Sequence, residues 1–196
     1  MSKARKSSSN RLRIIGGQWR SRQLSFVEAP GLRPTPDRIR ETLFNWLQGD
    51  IASARCLDLF AGSGAIAFEA LSRYAAEVVL VEMHPKAAQQ LRDNLKILEN
   101  GEASRGEVVN ADALNFLTRD SKPFDLIFLD PPYRKGLLPK VLDLIMEKQL
   151  LTPHGLIYLE HEAEESFDWS VWGLDIKKQS KAGQVMGYLL EPIAAS

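Results

Sequence analysis

The chain predicts an α/β fold: a mostly parallel sheet with helices on both faces, closed by an antiparallel strand pair and preceded by a small β-hairpin. Three observations carry this. Apolar runs at residues 56–60, 78–81, 108–109 and 124–129 are short and nearly uninterrupted, as strands covered on both faces are. Amphipathic segments lie between them, so repeated β-α units feed a parallel sheet whose ligands bind at the strands' carboxyl ends. A glycine-rich turn follows the first of these strands.

Along the chain, residues 1–10, with three consecutive serines, are expected to be disordered. Residues 12–15 and 18–27 read as two strands around Gly16-Gly17, a pair suited to a tight hairpin turn that needs positive φ. Pro30, Pro34 and Pro36 then hold the chain extended. A helix follows, with Thr35 or Asp37 serving its N-terminus and Ile39, Leu43, Trp46 and Leu47 at helical spacing. The same spacing marks helices at Ala87, Leu91, Leu95 and Leu98, and at Leu138, Val141, Leu142 and Ile145. Residues 155–160 supply a fifth strand, and residues 173–180 and 185–191, joined through Ala182-Gly183-Gln184, form the closing antiparallel pair.

The chain has 196 residues, 44% hydrophobic and 26% charged, which excludes a disordered protein and suffices for one sizeable core. No apolar run approaches the ~18 residues of a membrane span, and the basic N-terminus lacks the apolar region of a secretory signal. The single Cys56 cannot form an internal disulfide and reads as a core residue. A soluble cytoplasmic protein is expected. The net charge of zero conceals a division: residues 1–40 hold ten basic residues against Glu28 and Asp37, so they carry +8 and the rest −8. Such asymmetry points to a nucleic-acid or acidic-surface contact through the basic portion, although residues 1–10 alone read equally well as a solvated tail. It divides the chain into a basic arm and hairpin, 1–36, and an α/β domain, 37–196.

The first strand of the parallel set runs into Asp58-Leu59-Phe60-Ala61-Gly62-Ser63-Gly64, and Gly62 to Ala67 satisfies G-x-G-x-x-A between strand and helix. The glycines let a ligand approach the backbone, and the following helix offers free N–H groups. Glu82 closes the next strand, where a carboxylate can bind both hydroxyls of a ribose. Asp58 at the loop entrance would repel a pyrophosphate but suits the cationic amino group of a bound amino acid. Asp112, after the third strand, can accept from an adenine amino group. Each also has a structural reading: a tight turn for the glycines, and for Asp112 a cap on the helix starting near Ala113. Three acids at successive strand ends beside a glycine loop favour a nucleoside ligand, and S-adenosylmethionine fits better than a nicotinamide cofactor because it carries no phosphate.

The fourth strand leads into Asp130-Pro131-Pro132-Tyr133. Two prolines end the ladder and stiffen a corner that projects Asp130, the Pro131 carbonyl and the Tyr133 ring from the strand's carboxyl end. Methyl transfer to an exocyclic amino group suits such a corner. The amino nitrogen of a base is a poor nucleophile because its lone pair is delocalised. Two acceptors holding its N–H bonds let it pyramidalise towards a methyl donor, and such positioning supplies on the order of 7–11 kcal/mol. Tyr133 offers a stacking face for an extruded base. The structural alternative is a proline turn with a packed tyrosine.

Asp58–Gly64, Glu82, Asp112 and Asp130–Tyr133 resemble, in order, the motifs of Rossmann-like S-adenosylmethionine-dependent amino-methyltransferases. Residues 33–45, Arg-Pro-Thr-Pro-Asp-Arg-Ile-Arg-Glu-Thr-Leu-Phe-Asn, with 12–17 before them, extend the resemblance to the bacterial small-subunit ribosomal RNA guanine-N2 methyltransferases of the RsmD type. The resemblance implies a seven-stranded sheet, S-adenosylmethionine as donor and a guanine 2-amino group of ribosomal RNA as acceptor. It implies donor contacts from Thr35, Asp58, Phe60, Ala61, Gly62, Ser63 and Gly64, and from Glu82, Met83, Asp112 and Ala113. The transfer site is then Asp130, Pro131, Pro132 and Tyr133. Arg11, Arg13, Arg20, Arg22, Arg33 and Arg38 are the expected RNA contacts, with no metal and no membrane partner expected, in a monomer acting on RNA within a small-subunit particle.

The rival readings are a DNA adenine-N6 or cytosine-N4 methyltransferase, an NAD-dependent oxidoreductase and a non-enzymatic RNA-binding module. The first needs a larger target-reading region than the residues before the α/β domain. The second leaves Asp58 and the Asp130 corner unexplained, and the third leaves the strand-end acids unexplained. His84 is expected at a helix start, His154 in a turn and His161 beyond a strand, too scattered for a metal site. Trp19 reads as a packing residue more than an RNA stacker.

Overall fold

Alternate residues of the sheet strands go to opposite faces, and each face carries its own core. The structure, a computed structural model, describes residues 10–27, 35–119, 121–132 and 136–194. Tyr133 and Arg33 of the expected site, and the tail through residue 9, lie outside the described residues.

A two-stranded sheet pairs β1 (Arg11–Arg13) with β2 (Gln23–Ser25). A seven-stranded sheet follows, made of β3 (Arg55–Asp58), β4 (Glu77–Glu82), β5 (Gly106–Asn110), β6 (Phe124–Leu129), β7 (Leu151–Glu162), β8 (Leu174–Ala182) and β9 (Val185–Pro192). Its order is β5-β4-β3-β6-β7-β9-β8, parallel through β7 and antiparallel where β9 pairs with β7 and β8. The chain steps outward from β3 to β5, then returns to lay β6 on the other side of β3. Order reverses between β3 and β6, so their carboxyl ends flank the crevice where sheets wound this way bind ligands.

Helices α1 (Asp37–Trp46), α2 (Ala65–Ser72) and α3 (Pro85–Glu99) pack on one face with Cys56, Leu80, Phe128 and Tyr158 of the sheet. Helices α4 (Ala113–Leu117) and α5 (Leu137–Glu147) and the 3-10 turn Trp169–Trp172 cover the other, against Leu57, Val81, Leu129 and Leu159. Leu12, Ile14 and Leu24 of the hairpin belong to the first core, so the basic segment is docked on the α/β body.

Several boundaries differ from the sequence reading. The hairpin strands are short, and residues 14–22 make a loop instead of a two-residue turn at Gly16-Gly17. Gly17 does adopt φ +75°, but for another reason: a Cβ there would stand 2.0 Å from the Ser72 carbonyl oxygen of α2. Neither Thr35 nor Asp37 caps α1. The N-cap is Pro36, without a side-chain bond, and Asp37 sits in the first turn. The fifth parallel strand starts earlier than residue 155 and takes in both His154 and His161, the latter buried with its ring stacked on Tyr188 at 5.2 Å. His84 is the N-cap position of α3 as expected, and Trp19 packs partly buried against the first core.

Candidate active site at the carboxyl edge of the sheet

The register aligns the acids. Asp58 pairs with Leu80 and with Phe128, and Phe128 with Tyr158, so these four are level on the face bearing α1, α2 and α3. Two residues further along β4 and β7, and one residue past the end of β6, the same face presents Glu82, Glu160 and Asp130. Four carboxylates therefore gather at one edge of four neighbouring strands. Sequence reasoning named three. It passed over Glu160, whose meaning lies in the β6–β7 register.

The glycine loop is built on this edge. The Ala61 amide donates to the Val81 carbonyl at 2.9 Å and the Gly64 amide to the Ala61 carbonyl at 2.7 Å. Gly62 and Gly64 take φ of +53° and +79°, and a Cβ at Gly64 would stand 2.3 Å from the Phe68 ring. Ser63, between the two glycines, is buried. Asp58, 4% exposed, has its carboxyl pushed up to about 7 by burial, with backbone amides of Phe60 and Ala67 opposing and Glu82 reinforcing the shift. A cation placed here would restore its ionised form.

Glu82 is buried, and its Oε1 and Oε2 accept the amides of His84 at 2.7 Å and Gly62 at 3.0 Å. Asn110 braces the same bend by donating to the carbonyls of Glu82 and Met83 at 2.8 and 3.0 Å. Met83 is exposed beside it. Asp112 caps α4, accepting through Oδ1 from Leu114 and Asn115 at 3.0 and 3.3 Å, and Ala113 begins that helix.

Asp130 is half-buried at the end of β6, with Pro131 buried and Pro132 exposed after it. Its carboxyl is pushed up to about 8 by burial, then by Glu160 and Asp58. Glu160 is 4% exposed and its carboxyl is also raised, chiefly by burial, while the Tyr158 hydroxyl donating to Oε1 at 2.8 Å acts the other way.

Thr35 lies at the entry to α1, its carbonyl accepting from Arg40 Nε at 3.2 Å. Arg40 is 2% exposed, so one of the cations counted in the basic arm is internal. It reaches the Arg13 carbonyl at 3.0 Å, Asp37 at 2.6 Å and the fully buried Glu69 at 3.4 Å. Glu69 also accepts the amides of Ile15 and Gly16 at 2.9 and 2.7 Å, tying the hairpin loop to α2. Of the expected RNA contacts, Arg11, Arg13, Arg20, Arg22 and Arg38 are exposed. Arg13 pairs with Asp37 at 3.0 Å, and Arg22 reaches the Ile97 and Leu98 carbonyls near the end of α3.

A sheet reversing at β3 and β6, a glycine loop there, and acids closing successive strands define a Rossmann-like methyltransferase fold. A family model described as Conserved hypothetical protein 95 matches residues 12–191. Ribosomal RNA small subunit methyltransferase D of Escherichia coli strain K12 is 47% identical over 185 residues, 94% of this chain and 92% of that protein. The solved structure of a putative methyltransferase, yhhF, from Escherichia coli shares 45% identity at a TM-score of 0.83, covering 94% of this chain and 99% of that one. An RNA methyltransferase from Salinibacter ruber, solved in complex with S-adenosyl-L-homocysteine, shares the fold at 20% identity and a TM-score of 0.62, covering 84% of this chain and 97% of that one. The chain belongs to the Conserved hypothetical protein 95 family, together with the ribosomal RNA small subunit methyltransferases D.

Proposed function

We propose that this protein transfers a methyl group from S-adenosylmethionine to the 2-amino group of a guanine in bacterial small-subunit ribosomal RNA. The observation that carries the reading is Asp130, followed by the Pro131-Pro132 corner, on the same edge and face as Asp58 and the glycine loop. Kinship with the small-subunit RNA methyltransferases and the fold shared with a methyltransferase solved with S-adenosyl-L-homocysteine support it.

The residues fit the donor. The carboxyls of Asp58 and Glu82 stand at the loop, which favours a cationic nucleoside over a pyrophosphate. Asp58 would take the donor's amino group, Glu82 its ribose and Asp112 its adenine, with Thr35, Phe60, Ala61 and Met83 around them. When bound, S-adenosylmethionine supplies an electrophilic methyl group. The Asp130 carboxylate and the Pro131 carbonyl hold the two N–H bonds of the acceptor and free its lone pair. The freed lone pair would be aimed at the methyl group the donor supplies, and Asp130 would accept the proton that leaves the nitrogen once it is methylated. Tyr133 would stack the extruded base. Residues 1–36, with Arg11, Arg13, Arg20, Arg22 and Arg33, and Arg38 after them, would grip the RNA, and the protein would act as a cytoplasmic monomer on a small-subunit particle.

The test offers labelled donor to separate pools of RNA, small-subunit particles, DNA and protein, followed by nucleoside analysis. Label recovered as N2-methylguanosine from small-subunit RNA is expected. Label in DNA or protein, or on another base, overturns the reading.

A further inference from the structure

Glu160 is a buried acid that the transfer chemistry above does not use. The β6–β7 pairing runs through Phe128↔Tyr158 and Leu129↔Leu159, which sets Asp130 opposite Glu160 one residue later, on the same face. Neighbouring strands lie ~4.8 Å apart, so the two carboxylates can reach adjacent atoms of one base edge. Tyr158, itself buried, donates its hydroxyl to Glu160 Oε1 at 2.8 Å and orients the side chain. Among the described residues no cation pairs with Glu160, so in the buried site its charge is offset only by a proton or by a donor that a ligand brings.

We propose that Glu160, oriented by Tyr158, is the specificity-determining residue that accepts the N1–H of the target guanine while Asp130 holds the neighbouring 2-amino group. This rests on the guanine-N2 reading above. Guanine presents N1–H and the 2-amino group side by side, an unbroken row of donors. Adenine sets its amino group beside the N1 lone pair, and cytosine beside the N3 lone pair. Two carboxylates, acceptors only when ionised, complement the first arrangement and repel the other two. The raised carboxyls of Asp130 and Glu160 agree with a pair that shares a proton when empty, which the donor row of guanine displaces.

The test replaces the target guanine by 2-aminopurine, which keeps the 2-amino group but carries a lone pair at N1. After the modified position is mapped, small-subunit RNA with either base there is presented free and reconstituted into particles. The wild-type protein should prefer guanine by about 10²-fold in kcat/KM. In Glu160→Gln, whose amide can donate to N1, that ratio should collapse towards unity, with affinity for S-adenosyl-L-homocysteine unchanged. A wild-type protein that methylates both acceptors equally overturns the proposal, whatever the variant's folding. So does a Glu160→Gln protein that keeps the wild-type ratio, and in both cases the guanine-N2 reading stands. Absence of N2-methylguanosine from every pool sinks that reading, and this proposal with it.

Discussion

Glu82 holds Gly62: the acid that ends β4 accepts the Gly62 amide at 3.0 Å, and through its other oxygen the His84 amide at 2.7 Å. It is therefore a strut of the glycine loop as well as the proposed ribose ligand. A carboxylate oxygen has two lone pairs, so binding the amides leaves room for hydroxyls. Glu82→Ala removes both functions. Affinity for S-adenosyl-L-homocysteine should fall by at least about tenfold, since hydrogen bonds to a charged group contribute ~1.5–3 kcal/mol. Calorimetry reads this directly, and unchanged affinity would refute the ribose assignment.

Activity and stability should respond to pH in opposite directions. The Asp130 carboxyl is pushed up to about 8, and in its protonated form it accepts the N–H only weakly and cannot take the proton that leaves the nitrogen. The rate kcat/KM should therefore climb through pH 6 to 8 and level above it, and Asp130→Ala should lose transfer while still binding S-adenosyl-L-homocysteine. For folding the sign reverses. Unfolded, Asp58 and Asp130 titrate near 3.8, and folded at about 7 and about 8, so the native state binds the extra protons. Their contribution is complete below 3.8 and is lost as pH rises through 7 and 8. The urea midpoint of the ligand-free protein should therefore drop between about pH 4 and about pH 8 and level beyond it, and Asp130→Asn should flatten the drop. A midpoint independent of pH contradicts the raised carboxyls.

What the sequence discloses depends on whether the signal is contiguous. The turn from Asp58 to Gly64 is read correctly because strand, glycines and helix lie within a few residues, and the β-α alternation places it at a carboxyl edge. Glu160 is invisible in this way: only the pairing of β6 with β7 brings it beside Asp130. Arg40 misleads for a complementary reason. Counting charge cannot tell a surface cation from one 2% exposed and bound to Asp37 and Glu69. Gly17 has the backbone freedom its position suggested, yet the demand comes from α2, a neighbour remote in sequence. Asp112 is an N-cap, and its proposed contact with adenine has to coexist with that bond.

Glu69 should behave as the bolt between hairpin and body. It is fully buried and gathers Arg40, Arg73 and the amides of Ile15 and Gly16. Glu69→Ala strands Arg40, itself buried, without that partner and leaves two amides unsatisfied. Losing one member of such a network costs about 3–5 kcal/mol. Urea denaturation should report that loss, and Trp19 fluorescence should show the hairpin loosening before the main transition. A Glu69→Ala protein as stable as wild type, with a single coincident transition, would mean that the hairpin is held by its apolar contacts alone.

Arg38 and Arg40, two residues apart on α1, should separate RNA binding from folding. Arg38 is exposed, whereas Arg40 is an internal cation. If Arg38 neutralises a phosphate, Arg38→Ala should weaken RNA binding and reduce the slope of log K against log salt by about 0.7–1, with stability unchanged. Arg20→Ala, likewise exposed, should do the same. Arg40→Ala should instead lower stability, because Glu69 then lies buried with one cation fewer. Deleting residues 1–10 extends the series: a smaller affinity with a flatter salt dependence assigns that tail to the RNA. An unaltered slope in Arg38→Ala and Arg20→Ala would locate the RNA surface elsewhere and remove the basic arm from the binding site.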